Sequence, residues 1–131
     1  MKILVCYDGS NVAKDGVKLA QHHAEVFGGN LFIVKALPQS HELAYEDIQR
    51  EEQSLESDAR KILGKDTIPY ETYAIVTNLS PGEELVDFAR RSEVDEIVIG
   101  IRKRSKVGKL VFGSTAQYVI LNAHCPVVSL R

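Results

Sequence analysis

Between Val98 and Ile120 the chain reads VIGIRKRSKVGKLVFGSTAQYVI, and its glycines, hydroxyls and cations are the residue types that hold phosphate. Gly100 follows an apolar run, Gly113-Ser114-Thr115 opens a helical pattern, and Arg102, Lys103, Arg104, Lys106 and Lys109 lie between them. A helix N-terminus offers unpaired N–H groups and about half a positive charge, so it attracts anions. Glycines let the main chain approach a ligand that a Cβ would exclude, and the basic side chains supply cations. A plainer reading stands beside this one: Ser114 and Gln117 have capping-box spacing, and the basic run would be a solvated loop. A second candidate is VCYDGS, where Asp8 closes an apolar run and precedes Gly9-Ser10. Its carboxylate would accept hydrogen bonds from a ribose, coordinate a phosphate-bound Mg²⁺, or simply cap the following helix.

The elements that must position these residues alternate along the chain. KILVCY (2–7), LFIVKAL (31–37), YETYAIV (70–76), DEIVIG (95–100) and CPVVSLR (125–131) are short runs rich in Val, Ile and Tyr, and they predict strands. In residues 11–27, Ala13, Val17, Ala20, Ala24 and Phe27 recur at helical spacing, and Gly28-Gly29-Asn30 ends the pattern. Residues 41–63 predict a more polar helix with Ala44, Ile48, Leu55, Ala59 and Ile62 inward, interrupted between Ile48 and Leu55. SPGEELVDFARR predicts a third helix, with Ser80 as N-cap, Pro81 at the first position and Glu83 completing a capping box. The fourth starts at Ser114, with Ala116, Val119, Ile120 and Ala123 as its buried stripe. Strict β-α alternation predicts one doubly wound α/β domain over residues 1–131: a five-stranded parallel sheet with four helices on two faces. In such sheets the ligand crevice lies beyond the carboxyl ends of the strands, where VCYDGS, ALPQS and GIRKRS fall.

Composition narrows the function. With 16 Lys and Arg against 18 Asp and Glu the net charge is −2, which argues against general nucleic-acid binding. Nothing in MKILVCYDGS reads as a signal peptide, and no apolar run reaches a membrane span, so a cytoplasmic protein is expected. Cys6 and Cys125 predict buried, reduced thiols, with neither disulfide nor structural metal. VGKL is not a Walker A loop, which would need glycine at Lys103 and Ser or Thr at Leu110. A receiver domain would need an aspartate ending the third strand, where AIVTNLS has none.

VCYDGS, GIRKRSKVGKLVFGSTAQYVI and HCPVVSL together resemble the universal stress protein (UspA-like) family, across essentially the whole chain. Nucleotide-binding members carry G-x2-G-x9-G-[ST]; here Gly100, Gly113 and Ser114 match it, and Lys103 replaces the second glycine. The resemblance implies strand order 3-2-1-4-5 and binding of ATP, or of ADP or AMP, with Mg carried by the nucleotide near Asp8. It implies that Tyr7 and Asp8 face the ribose and adenine. Ala36 would offer its backbone to the adenine edge, and Thr115 would add an N–H beside Gly113 and Ser114. At Lys103 a Cβ would crowd the phosphates while an ammonium would reach them. The resemblance also implies a homodimer through residues 125–131, and an apolar edge strand unguarded until Arg131 agrees with that. No acid besides Asp8 falls at a strand end lining the crevice. His22, His23, His41 and His124 read as surface or packing residues rather than general bases. The expected function is therefore a regulatory, stress-response nucleotide-binding module, not an enzyme, with at most very slow ATP hydrolysis. The alternative is a nucleotide-free dimer acting through protein–protein contacts of its basic loop.

Overall fold

The computed structural model describes residues 1–101 and 112–131. Nine elements alternate: β1 (Lys2–Cys6), α1 (Asn11–Phe27), β2 (Asn30–Pro38), α2 (Tyr45–Leu63), β3 (Tyr70–Thr77), α3 (Pro81–Arg91), β4 (Glu96–Gly100), α4 (Ser114–Asn122) and β5 (Val127–Leu130). The strands form one parallel sheet in the order β3-β2-β1-β4-β5, as expected. Side-chain alternation along the strands divides the core in two. Ile3, Val5, Leu31, Ile33 and Val98 pack under α1 and α2, whereas Leu4, Cys6, Val34, Ile97 and Ile99 pack under α3 and α4. Ile3, Leu4, Leu31 and Ile33 are wholly buried, each contributing up to about 1.5–3 kcal/mol. The central strand β1 is thereby clamped from both faces.

Local chemistry sets the helix starts. Ser10 caps α1 by accepting from the Ala13 N–H at 3.1 Å, and Gly28, at φ +70°, closes the helix in the left-handed conformation. Ser80 caps α3 by accepting from the Glu83 N–H at 3.3 Å, with Pro81 in the first turn. The reciprocal arm from Glu83 is absent among the described residues.

Four expectations are corrected. Phe27 is 65% exposed, because α1 has left the sheet by its last turn; Gly16 takes the close inward position instead, packed on Val5, Val98 and Leu130. The second helix starts at Tyr45, not residue 41, because the Asp47 carboxylate reaches back to the Ala44 N–H at 2.9 Å and fixes the start there. It is continuous, but only Leu55, Ala59 and Leu63 are buried, so the interruption in its pattern marks a solvent-facing first half. In α4, Ala116 and Val119 are buried while Ile120 is 40% exposed, since a short helix on the outer part of the sheet presents a narrow inner stripe. Finally, Gly113 rather than Ser114 occupies the N-cap, and no side chain caps α4.

Candidate functional site

Because all five strands are parallel, every helix starts at the carboxyl end of the sheet. The N-termini of α1, α3 and α4 converge there on a cavity of about 280 Å³. Its floor is formed by Cys6 at the end of β1 with Tyr7 just beyond it, by Val34 and Ala36 of β2, and by Ile99 and Gly100 at the end of β4. One wall comes from Asp8, Ser10 and Ala13, a second from Pro81 and Leu85, and a third from Gly113, Ser114, Thr115 and Ala116. Seven of the eight positions expected to form the site therefore lie around one cavity: Tyr7, Asp8, Ala36, Gly100, Gly113, Ser114 and Thr115. The eighth, Lys103, and the other basic residues of its run lie outside the described residues.

Each part of the lining has a local cause. Gly9 takes φ +84°, which turns the chain sharply after Asp8. Asp8 Oδ1 accepts from the Ser10 N–H at 2.9 Å, so this carboxylate does support the start of α1. An acceptor-only group with two oxygens retains capacity for a ligand. Gly100 has a packing reason as well: a Cβ there would meet Val12 Cγ1 of α1 at 2.5 Å. Across the cavity, Gly113 precedes Ser114 and Thr115 at the head of α4, whose first turn carries no acid. The first turn of α3 carries Glu83 and Glu84. The anion-attracting helix ends are thus those of α1 and α4, and the wall by Pro81 and Leu85 is the apolar one.

Ala36 presents main chain to the cavity, and strand geometry explains how. The Val34 carbonyl accepts from the Tyr7 N–H at 2.9 Å, so the N–H and C=O of Val34 face β1. Two residues on, Ala36 turns its own N–H and C=O to the same side, where β1 has already ended. Neither has a partner among the described residues, so one donor and one acceptor lie side by side at the apolar end of the cavity.

Tyr7 serves the site differently from the expectation that it would face a ligand beside Asp8. Its ring packs in the core under α1 and α2, 6% exposed, and its hydroxyl donates to Asp58 Oδ2 of α2 at 2.8 Å. A residue that alternates with Cys6 must point to the opposite face, so main chain is what Tyr7 brings to the cavity. Burial, and then the Asp58 hydrogen bond, pushes the phenol up, which keeps it a donor. Burial likewise pushes the Cys6 thiol up, with Asp8 adding to the effect, and the thiol is neutral and unreactive. Both cysteines are free; Cys6 is buried as expected, whereas Cys125 is only half-buried. Sequence reasoning missed Cys6, Val34, Pro81 and Leu85 as lining residues. Period-two alternation back from Asp8 and Ala36 identifies the first two; nothing local to α3 announces the others.

Among the described residues no cluster of three or more His, Cys, Asp or Glu side chains could hold a metal. Asp8 is the only carboxylate among the described lining residues, so Mg²⁺ here would need phosphates and water for its other ligands. The site otherwise combines an apolar slot bearing a free peptide edge with a helix-N-terminal anion seat. No helix among the described residues is long and apolar enough to cross a membrane.

Comparison with known proteins agrees with this arrangement over the full chain. A universal stress protein from Thermus aquaticus is 31% identical over 138 residues, spanning 98% of this chain and 97% of the relative. The structure of a universal stress protein from Archaeoglobus fulgidus superposes with a TM-score of 0.88 at 37% identity, covering 100% of this chain and 98% of that one. A structure of the universal stress protein from Archaeoglobus fulgidus in complex with dAMP superposes with a TM-score of 0.82 at 32% identity, over 100% and 98%. The family model for universal stress proteins matches residues 1–131, and with the fold, the cavity and these relatives in agreement the chain belongs to the universal stress protein family.

Proposed function

We propose that this protein binds an adenine nucleotide in the cavity at the carboxyl end of its sheet and acts as a regulatory, stress-response module. The observation that carries the reading is the pairing of two unlike ends in one cavity. The free N–H and C=O of Ala36 complement N1 and the 6-amino group of adenine. Val34, Pro81 and Leu85 form the apolar surface on which a base lies. At the other end the N–H groups of Ser114 and Thr115, without a Cβ at Gly113, form a seat for phosphate. Asp8 stands between them at the height of the ribose, accepting from its hydroxyls. The relative solved with dAMP supports a ligand of this class. ATP with Mg²⁺ is the ligand we favour, with Lys103 and its basic neighbours acting on the outer phosphates.

Hydrolysis at enzyme rates is not part of the proposal. Attack on a phosphate needs a base that positions water, and Asp8 is engaged by Ser10 on one oxygen. Turnover below about 1 s⁻¹ is expected.

The protein acts as a homodimer through β5. Ile97 N–H donates to the Pro126 carbonyl at 3.0 Å and Ile101 N–H to the Leu130 carbonyl at 2.7 Å. Residues 126, 128 and 130 therefore face β4, and Val127 and Ser129 turn their N–H and C=O outward at the open edge. Ser129→Pro removes an outward N–H without touching the ladder to β4. It should give a monomer by light scattering where the unmodified chain gives a dimer; a monomeric unmodified chain would sink this part.

Thermal unfolding tests the ligand. At about a hundred times its dissociation constant a ligand stabilises by roughly 2.7 kcal/mol, several degrees for a domain of this size. A shift with Mg-ATP, and not with Mg-GTP or tripolyphosphate, supports the reading. An equal shift with tripolyphosphate reduces the site to an anion seat, and no shift overturns nucleotide binding.

A further inference from the structure

Asp58 lies on α2, outside the cavity lining, yet it is joined to the cavity through one residue. Tyr7 is the first residue beyond β1 and is held from two sides. Its N–H donates to the Val34 carbonyl at 2.9 Å, the last rung between β1 and β2. Its hydroxyl donates to Asp58 Oδ2 at 2.8 Å from a ring 6% exposed. The next residue is Asp8, and after it the chain turns at Gly9 with φ +84°. Of the bonds described here, one to Asp8 is the Ser10 N–H, which belongs to the turn itself. The turn ties Asp8 to the start of α1, and the two Tyr7 bonds tie the residue before it to β2 and α2.

We infer that Asp58 is a positioning residue for the nucleotide site, holding the Tyr7 side chain so that the Asp8 carboxylate is set at the ribose. The inference rests on the nucleotide-binding reading above and adds a residue that touches no ligand. A side-chain bond to α2 thereby sets the place of a carboxylate in the cavity. Strand alternation makes such a link natural, since adjacent residues of one strand end serve opposite faces. Asp58→Asn retains an oxygen acceptor for the phenol, whereas Asp58→Ala and Tyr7→Phe each remove the bond.

The test is equilibrium binding of AMP and of 2′,3′-dideoxy-AMP to the unmodified chain and to Asp58→Ala, Asp58→Asn and Tyr7→Phe, with thermal unfolding of each. The expected result is a loss of AMP affinity of about tenfold in Asp58→Ala and in Tyr7→Phe, one hydrogen bond's worth. The double variant should lose no more than either single one. Dideoxy-AMP affinity should be nearly unchanged, and Asp58→Asn should restore most of the AMP affinity. A general loosening of the fold would weaken both ligands together, and that outcome overturns the inference. So does unchanged AMP binding in the conservative Tyr7→Phe variant, which fills the same core volume. If the unmodified chain binds neither nucleotide, the underlying reading of the cavity fails instead.

Discussion

At the amino end of the strands the chain closes on itself. Asn30 N–H donates to the Met1 carbonyl at 3.0 Å, Lys2 N–H to Asp95 Oδ2 at 2.8 Å and Asp95 N–H to the Lys2 carbonyl at 2.8 Å. His23 of α1 meets Glu96 of β4 at 2.6 Å, and a Cβ on Gly29 would collide with the Met1 carbonyl. At the carboxyl end the same strands stop short of one another. Ala36 runs on after β1 has ended, Gly9 turns away, and the helix starts stand around a cavity of about 280 Å³. The two ends are built from equivalent backbone, and they differ because parallel crossovers put every helix N-terminus at one end. That end gathers small residues and helix-start N–H groups that have no side-chain cap at α4 among the described residues, so it can take an anion. The other gathers main-chain and side-chain groups that satisfy each other.

Substitutions at the two ends should therefore separate binding from folding. The largest effect expected is Gly113→Val at the open end, where a branched side chain enters the phosphate seat. Nucleotide affinity should fall by at least about 100-fold, roughly 2.7 kcal/mol, in calorimetric titration, with the unfolding midpoint of the free protein little changed. At the closed end Gly29→Ala forces a Cβ against the Met1 carbonyl, which also accepts from the Asn30 N–H. It should cost about 1–3 kcal/mol in denaturant unfolding while the folded protein keeps its nucleotide affinity. If Gly29→Ala weakened binding as much as it weakened the fold, the separation of the two ends would be wrong.

Alkaline pH probes the boundary between cavity and core. The Cys6 thiol is held protonated by burial, while in the unfolded chain it ionises at about its ordinary value of 9.0. A group raised on folding contributes stability that is complete below its unfolded value and is lost as pH rises above it. Stability should fall above pH 9 by up to about 1.4 kcal/mol per pH unit from this thiol, and Cys6→Ala should flatten that decline. An unchanged alkaline slope in that variant would remove Cys6 as its cause. The smallest effect is expected for His23→Ala: with both partners partly exposed, its loss should cost about 1 kcal/mol at neutral pH and leave nucleotide binding intact.

The alternation of strand and helix, the cap at Ser80, and the glycine stop after Phe27 were all legible in the chain, because propensity, capping and periodicity act over a few residues. Asp8, Gly100, Gly113 and Ser114 were legible as site candidates in the chain, the family resemblance added Ala36 and Thr115, and all of these line one cavity. What local pattern could not carry was the choice between partners. Ser114 has the spacing of a cap, yet the cap is Gly113, because the approach of the chain to α4 decides which residue stands half in the helix. Tyr7 sits beside Asp8 in the sequence, but adjacent residues of a strand serve opposite faces, and its hydroxyl belongs to Asp58 fifty-one residues away. Phe27 and Ile120 kept helical spacing and still face solvent, since burial depends on what lies opposite. Short-range chemistry thus determined which elements form and where a ligand could enter. The tertiary structure alone decided which side chains face the cavity and which hold it in place, because those contacts join segments remote in the chain.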